Sequence, residues 1–305
     1  MQKSLSFNQQ AFNKNWHNLF HLPELPRTPT IEAANKDGYF FRKVIIITGA
    51  SSGIGRAMAL YFASKGARVV LAARNIVRLK EVRDIIKFNN GEALIVPTDV
   101  TKHRDCYYLI DKTLTVYGTI NILINNAGIS MRANFLDVNL DVLKRVMDTN
   151  FWGAVYCTKH ALPHLIKSNG SLVAISSICG ITPLPGRTGY AASKHALDGF
   201  IDTIRVEQLQ SQLHVLSVHA GFTSSNIRNT ALNRYGEEQK ESLRNEDKMM
   251  SAETVAIAVA KAIKSQRRDI ILTHEGKLIS WLYKRIPTIA DKLIYNEMAK
   301  EDSNS

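Results

Sequence analysis

Thr48-Gly49-Ala50-Ser51-Ser52-Gly53-Ile54-Gly55 decides the fold, because it joins the β-branched run Val44–Ile47 to a segment with Ala57, Leu60 and Tyr61 at helical spacing before Gly66. Gly49 permits a tight turn, while Gly53 and Gly55 let backbone amides and a helix start come close to a pyrophosphate. Ser51, Ser52 and Ile54 complete the candidate phosphate contacts. Glycine spacing alone would equally describe a flexible turn. A strand before and a helix after are what phosphate binding requires, and both are present.

Outward from this turn, apolar runs recur at Val69–Ala72, Leu94–Val96, Ile122–Ile124, Leu172–Ile175, Val215–Val218 and Ile270–Leu272. Between them lie amphipathic stretches, such as Asp137 to Lys167 with Val142 and Val146. Seven short strands alternating with helices predict an α/β fold: a doubly wound, parallel seven-stranded sheet of Rossmann type in a single domain, with its ligand beyond the carboxyl ends of the strands. The domain is expected over 42–275. It follows an extension over 1–41, stiffened by prolines at 23, 26 and 29, and precedes an amphipathic helical tail over 276–305.

With 305 residues, 45% of them hydrophobic, the chain has enough apolar surface for a buried core. Three cysteines without metal-ligand spacing argue against a disulfide framework or zinc site and for packing roles, and no histidine constellation suggests a metal. The reading is a reduced, intracellular, cytoplasmic protein without a secretory signal. A net charge of +12 favours anionic partners, but no clustered basic-aromatic stripe points to nucleic acid.

Further candidates sit at strand ends. The second strand ends at Arg74, where an acid would bond the adenosine ribose and an arginine can hold a 2′-phosphate, so NADP(H) is expected and NAD(H) is the less favoured cofactor. Asp99 and Val100 are placed to hold adenine. Asn126, Ala127 and Gly128 form a small turn that admits a ligand, and an asparagine amide there can tie neighbouring strands together. Tyr190 and Lys194, four apart on a helix, share a face on which the ammonium can lower the phenol's pKa for proton transfer. Ser177, at the end of the fifth strand, can donate a hydrogen bond to developing negative charge.

Taken together, Thr-Gly-x-x-x-Gly-x-Gly at 48–55, Asn-Asn-Ala-Gly at 125–128, Asn150, Ser177 and Tyr-x-x-x-Lys at 190–194 resemble the short-chain dehydrogenase/reductase family, over roughly Lys43 to Leu272. The resemblance implies a tetrad of Asn150, Ser177, Tyr190 and Lys194, with the lysine also gripping the nicotinamide ribose. It further implies hydride exchange with a carbonyl or alcohol carbon of a small-molecule or lipid-like substrate, a homo-oligomer, and a substrate lid over 226–250. Thr223 and Ser225 fall in the loop that contacts the nicotinamide amide. That loop departs from the family by carrying Ala220 where proline is usual and Ser225 where threonine is common, so a slightly looser loop is expected.

The alternative function is a non-catalytic nucleotide-binding scaffold or sensor on the same fold, which would predict damage to the tetrad. In the tail, Leu278, Ile279, Trp281, Leu282, Ile286, Ile289, Leu293 and Ile294 form an apolar helical pattern broken at Pro287, with Lys277, Lys284, Arg285 and Lys292 among them. Such an element suits docking on its own domain or a second subunit, or an acidic membrane surface.

Overall fold

In the computed structural model, described for residues 38–223, 227–239 and 249–303, every expected strand forms. They are β1 (Val44–Thr48), β2 (Arg68–Ala73), β3 (Glu92–Pro97), β4 (Ile122–Asn125), β5 (Ser171–Ser177), β6 (His214–Ala220) and β7 (Asp269–Ile271). They pair in parallel in the order β3-β2-β1-β4-β5-β6-β7. Strand order reverses between β1 and β4, and a crevice opens there at the carboxyl edge. Several strands run past the apolar stretches that announced them: β5 continues through Ser176 and Ser177, paired with His219 and Ala220 of β6. Ladder hydrogen bonding, rather than side-chain polarity, sets those ends.

The helices are α1 (Gly53–Ser64), α2 (Ile76–Phe88), α3 (His103–Tyr117), α4 (Leu140–Met147), α5 (Gly153–Lys167), α6 (Thr188–Glu207), α7 (Ala252–Lys264), α8 (His274–Arg285) and α9 (Pro287–Ser303). Alternation along β1 divides the core: Ile45 and Ile47 pack with α1, α2 and α7, while Val44 and Ile46 pack with α3, α5 and α6. Both sheet faces are therefore apolar, as a parallel sheet demands. Cys106 and Cys157 lie in the second of these layers as free, buried thiols, and Cys179 is also buried and free.

Three local expectations change. On α1 the deepest side chains are Met58 and Phe62, whereas Leu60 and Tyr61 are only partly buried, because the helix presents a face one step round from the one first read. Phe40, assigned to the extension, is buried with its ring 5.0 Å from that of Phe62, so packing begins before residue 42; residues 1–37 of the extension lie outside the described residues. The tail helix starts at His274, two residues before the expected 276, because the Thr273 side chain caps it by accepting from Gly276 N. Ile286 separates it from α9, which Pro287 opens, a position where proline's missing N–H costs nothing.

Candidate active site

The crevice holds a cavity of about 660 Å³ lined by Gly49, Ser51, Ser52, Gly53, Ile54, Gly55, Arg74, Asp99, Val100, Asn126, Ala127, Gly128, Ser177, Tyr190, Lys194 and Thr223. Of the residues singled out in the sequence, Asn150 stands one layer behind the lining, and Ser225 falls outside the described residues.

At one end the turn after β1 brings Gly49 and Gly53 into the left-handed region, with φ of +68° and +50°. A Cβ on Gly55 would stand 2.2 Å from the Gly49 carbonyl oxygen, so only glycine lets α1 start so close to β1. Ser52 at the N-cap makes no side-chain capping bond, and the first turn of α1 carries no acid. The positive end of the helix is thus left for an external anion, and the donor set fits a pyrophosphate. Thr48, unassigned beyond its place in the motif, braces the turn: its hydroxyl accepts from Asn126 N and Ala127 N, each at 2.9 Å. Asn126 Nδ2 donates to the Thr48 carbonyl at 2.8 Å, tying β4 to β1 as the sequence suggested. After β2 the exposed Arg74 is joined by Arg78, in the first turn of α2 and also lining the cavity, which sequence reading missed. Asp99 Oδ1 accepts from Thr101 N and Oγ1, which fixes the loop after β3.

At the other end β5 delivers Ser177 to the sheet edge, where its hydroxyl accepts from Cys179 N at 3.2 Å, and α6 presents Tyr190 and Lys194 on one face. Tyr190 retains some accessible surface, but dense protein around its oxygen makes burial dominate and pushes the phenol well above the ordinary tyrosine range. The nearby Cys179 adds to the rise, and a hydrogen bond with Ser177 and the charge of Arg187 work against it. The expected depression by Lys194 is not what this geometry provides. The ammonium lies 5.8 Å from the Tyr190 ring centroid and donates to the Ile175 carbonyl at 2.8 Å. Burial pushes Lys194 itself down to about 8, opposed by Asp198 and Cys179.

Asn150 sits in a π-helical turn, Asp148–Trp152, which links α4 to α5. Its Oδ1 accepts from Ile129 N at 2.8 Å, and its Nδ2 donates to Ile129 O and Ser193 Oγ, each at 2.9 Å. The wider turn therefore aims a side chain that clamps the segment after β4 onto α6. Arg187, also missed, donates through its guanidinium to the Met131 carbonyl. The described part of the segment expected as a lid is made of turns and bridges, with Leu232 pairing to Met131 and to Glu238 and Thr223 pairing to Met250. It supplies Ile227, Arg228, Thr230 and Leu232 to the cavity wall.

The short chain dehydrogenase family model matches residues 43–236. The chain belongs to this family. Among relatives, 11-beta-hydroxysteroid dehydrogenase-like 2 of Arabidopsis thaliana is 41% identical over 187 residues, covering 61% of this chain and 60% of that protein. The match to 11-beta-hydroxysteroid dehydrogenase 1A of the same plant spans 54% of its length. Dehydrogenase/reductase SDR family member 7B of Mus musculus is 32% identical over 274 residues, 88% of this chain and 84% of the mouse protein. The fold is matched by a short chain dehydrogenase/reductase from Burkholderia phymatum in complex with NAD, at a TM-score of 0.75 and 24% identity, covering 83% of this chain and 96% of that one. An alcohol dehydrogenase from Thermococcus sibiricus complexed with 5-hydroxy-NADP matches at a TM-score of 0.65 and 21% identity, covering 75% and 95%. Family membership and architecture agree with the sheet order and the glycine turn.

Proposed function

We propose that this chain is an NADP(H)-dependent oxidoreductase that moves a hydride between nicotinamide and a carbonyl or alcohol carbon of a small or lipid-like substrate. The observation that carries the reading is the convergence of Ser177, Tyr190 and Lys194 on one wall of the cavity whose far wall is the bare start of α1. Relatives named as hydroxysteroid dehydrogenases support an alicyclic, lipid-like substrate. Arg74 just after β2 and Arg78 at the start of α2, two guanidiniums without an acid between them, support the 2′-phosphate and hence NADP(H) over NAD(H).

When bound, the nicotinamide supplies or accepts the hydride at the substrate carbon. The protein's part is to hold the oxygen and manage its proton. In reduction the Ser177 hydroxyl donates to the carbonyl oxygen, and Tyr190 transfers its phenolic proton to that oxygen as charge develops. An alcohol forms and a phenolate is left. Lys194, on the same face of α6, stabilises that phenolate until solvent returns a proton; its charge matters most in the transition state, because the resting phenol is held neutral by burial. Asn150 keeps Ile129 and α6 in register, so the proton donor and the cavity wall move as one body. Thr223, and Ser225 beyond it, belong to the loop assigned to the carboxamide side.

The exposed apolar side chains of α8, α9 and the residue joining them, Leu278, Trp281, Ile286, Ile289 and Leu293, interleaved with Lys284, Arg285 and Lys292, support peripheral contact with an acidic membrane surface or with a second copy of the chain. Among the described residues no helix is long and apolar enough to cross a membrane. The test of the enzymatic reading is NADPH oxidation with a panel of aldehydes, aliphatic ketones and ketosteroids. Turnover with at least one class is expected. NADPH binding without oxidation of any member contradicts the reading and favours a scaffold.

A further inference from the structure

One buried carboxylate near the tetrad has no part in the steps above. Asp198 lies four residues after Lys194 on the same face of α6, with only 15% of its side chain accessible. Its Oδ2 accepts from Ser176 Oγ at 3.0 Å and stands 3.6 Å from His219 Nδ1. The same His219 nitrogen is 3.4 Å from the carbonyl oxygen of Ser177. Gly180 gives the carboxylate its room, since a Cβ there would stand 2.2 Å from Oδ2. The other oxygen, Oδ1, is buried and has no hydrogen-bond partner among the described residues. A buried acceptor left half satisfied costs stability, which packing alone gives no reason to keep. Its setting suits a fixed negative charge beside an ammonium.

We propose that Asp198 is a positioning residue for the reaction: seated on Ser176 and His219, its carboxylate keeps Lys194 charged. This rests on the functional reading above and extends it to the residue that maintains the lysine. Asp198 is where the carboxyl ends of β5 and β6 meet α6, so one side chain links Ser176, His219 and the helix bearing Tyr190. The titratable groups facing it are His219 from β6 and Lys194, Tyr190 and Asp202 from its own helix, while Cys179, in the turn after β5, faces Tyr190 and Lys194. Burial raises the Asp198 carboxyl to about 6, against the opposing effects of His219, Ser176 and Lys194. It is therefore ionised across the neutral and alkaline range, where Lys194 approaches its own loss of a proton. Removing that charge makes the ammonium easier to deprotonate, so activity that needs it is lost at lower pH.

The test follows NADPH-dependent turnover by the full chain from about pH 6 to about pH 10, for the wild type, Asp198→Asn and Asp198→Ser, with thermal melts of each. NADPH affinity, read by nucleotide fluorescence over the same range, is the second measurement. In the variants the alkaline limbs of kcat/KM and of NADPH binding should move to lower pH by about half a unit or more, with a smaller effect near pH 6.5. Limbs that superimpose on the wild type, or a loss that is equal at every pH, overturn the proposal; the second pattern marks a packing role. Wild type that turns over no carbonyl fails the functional reading instead, and the binding limb then still reports on Asp198.

Discussion

At the oxygen of Tyr190 two requirements meet: it must stay protonated until a substrate oxygen arrives, and its anion must then be tolerated. Burial meets the first, holding the phenol well above its ordinary range, and Ser177, Arg187 and Lys194 surround the place where the second is needed. Tyr190→Phe should therefore lower kcat by about 10²–10⁴-fold while NADPH affinity changes little, because the ring stays and the transferable proton goes. Lys194, held near 8, carries its proton below that pH and gives it up above, so the rate should fall on the alkaline side of about pH 8. At the ribose, Arg74→Asp should turn cofactor preference toward NADH; unchanged kcat/KM ratios for the two cofactors would remove Arg74 from that role. These residues were legible because each ends a strand or sits at a helical interval. Asp198 was not taken up, although it lies four residues from Lys194 on the same helix, and Arg78 was missed beside Arg74; spacing marks a shared helix face but does not say which neighbour lies across the sheet.

Among the elements, the turn from β1 into α1 is the least tolerant. Gly55→Ala would drive a methyl into the Gly49 carbonyl, so a loss of about 1–3 kcal/mol is expected, seen as a Tm lower by several degrees together with weakened NADPH binding. A variant with wild-type Tm and affinity would show that the turn can relax, against this account. The existence of all seven strands could be read from β-branched runs, but their ends could not, since Ser176 and Ser177 are held by the ladder and not by hydrophobicity. The face of α1 was misjudged because Ala57, Leu60 and Tyr61 fit helical spacing as well as Met58 and Phe62 do, and only the sheet beneath chooses between them. The π-helical turn at Asn150 left no sequence signal apart from the asparagine itself.

For the whole molecule, the sheet order and the net charge of +12 act at different ranges. The former places the cavity; the latter favours anionic cofactors and surfaces in general. The tail joins the two, since Gly276 of α8 meets Ile178, beside Ser177, while Trp281 and Ile289 stay exposed. If α8 and α9 lie on acidic lipid, vesicles containing phosphatidylserine should carry the full chain in flotation, and Trp281→Glu with Ile289→Glu should abolish it. Equal flotation of the variant, or none for the wild type, argues instead for a second copy or bare solvent on that face. The sequence showed this stripe clearly but could not show that its start is wedged against the end of β5. The central claim, that this cavity passes a hydride to a carbonyl carbon and a Tyr190 proton to its oxygen, is tested most directly with NADPH deuterated at the transferable C4 position. The account expects an alcohol product one mass unit heavier, labelled at the carbinol carbon, and formed about 10²–10⁴-fold more slowly by Tyr190→Phe with NADPH still bound. Unlabelled alcohol, or labelled alcohol formed equally well by Tyr190→Phe, would contradict it.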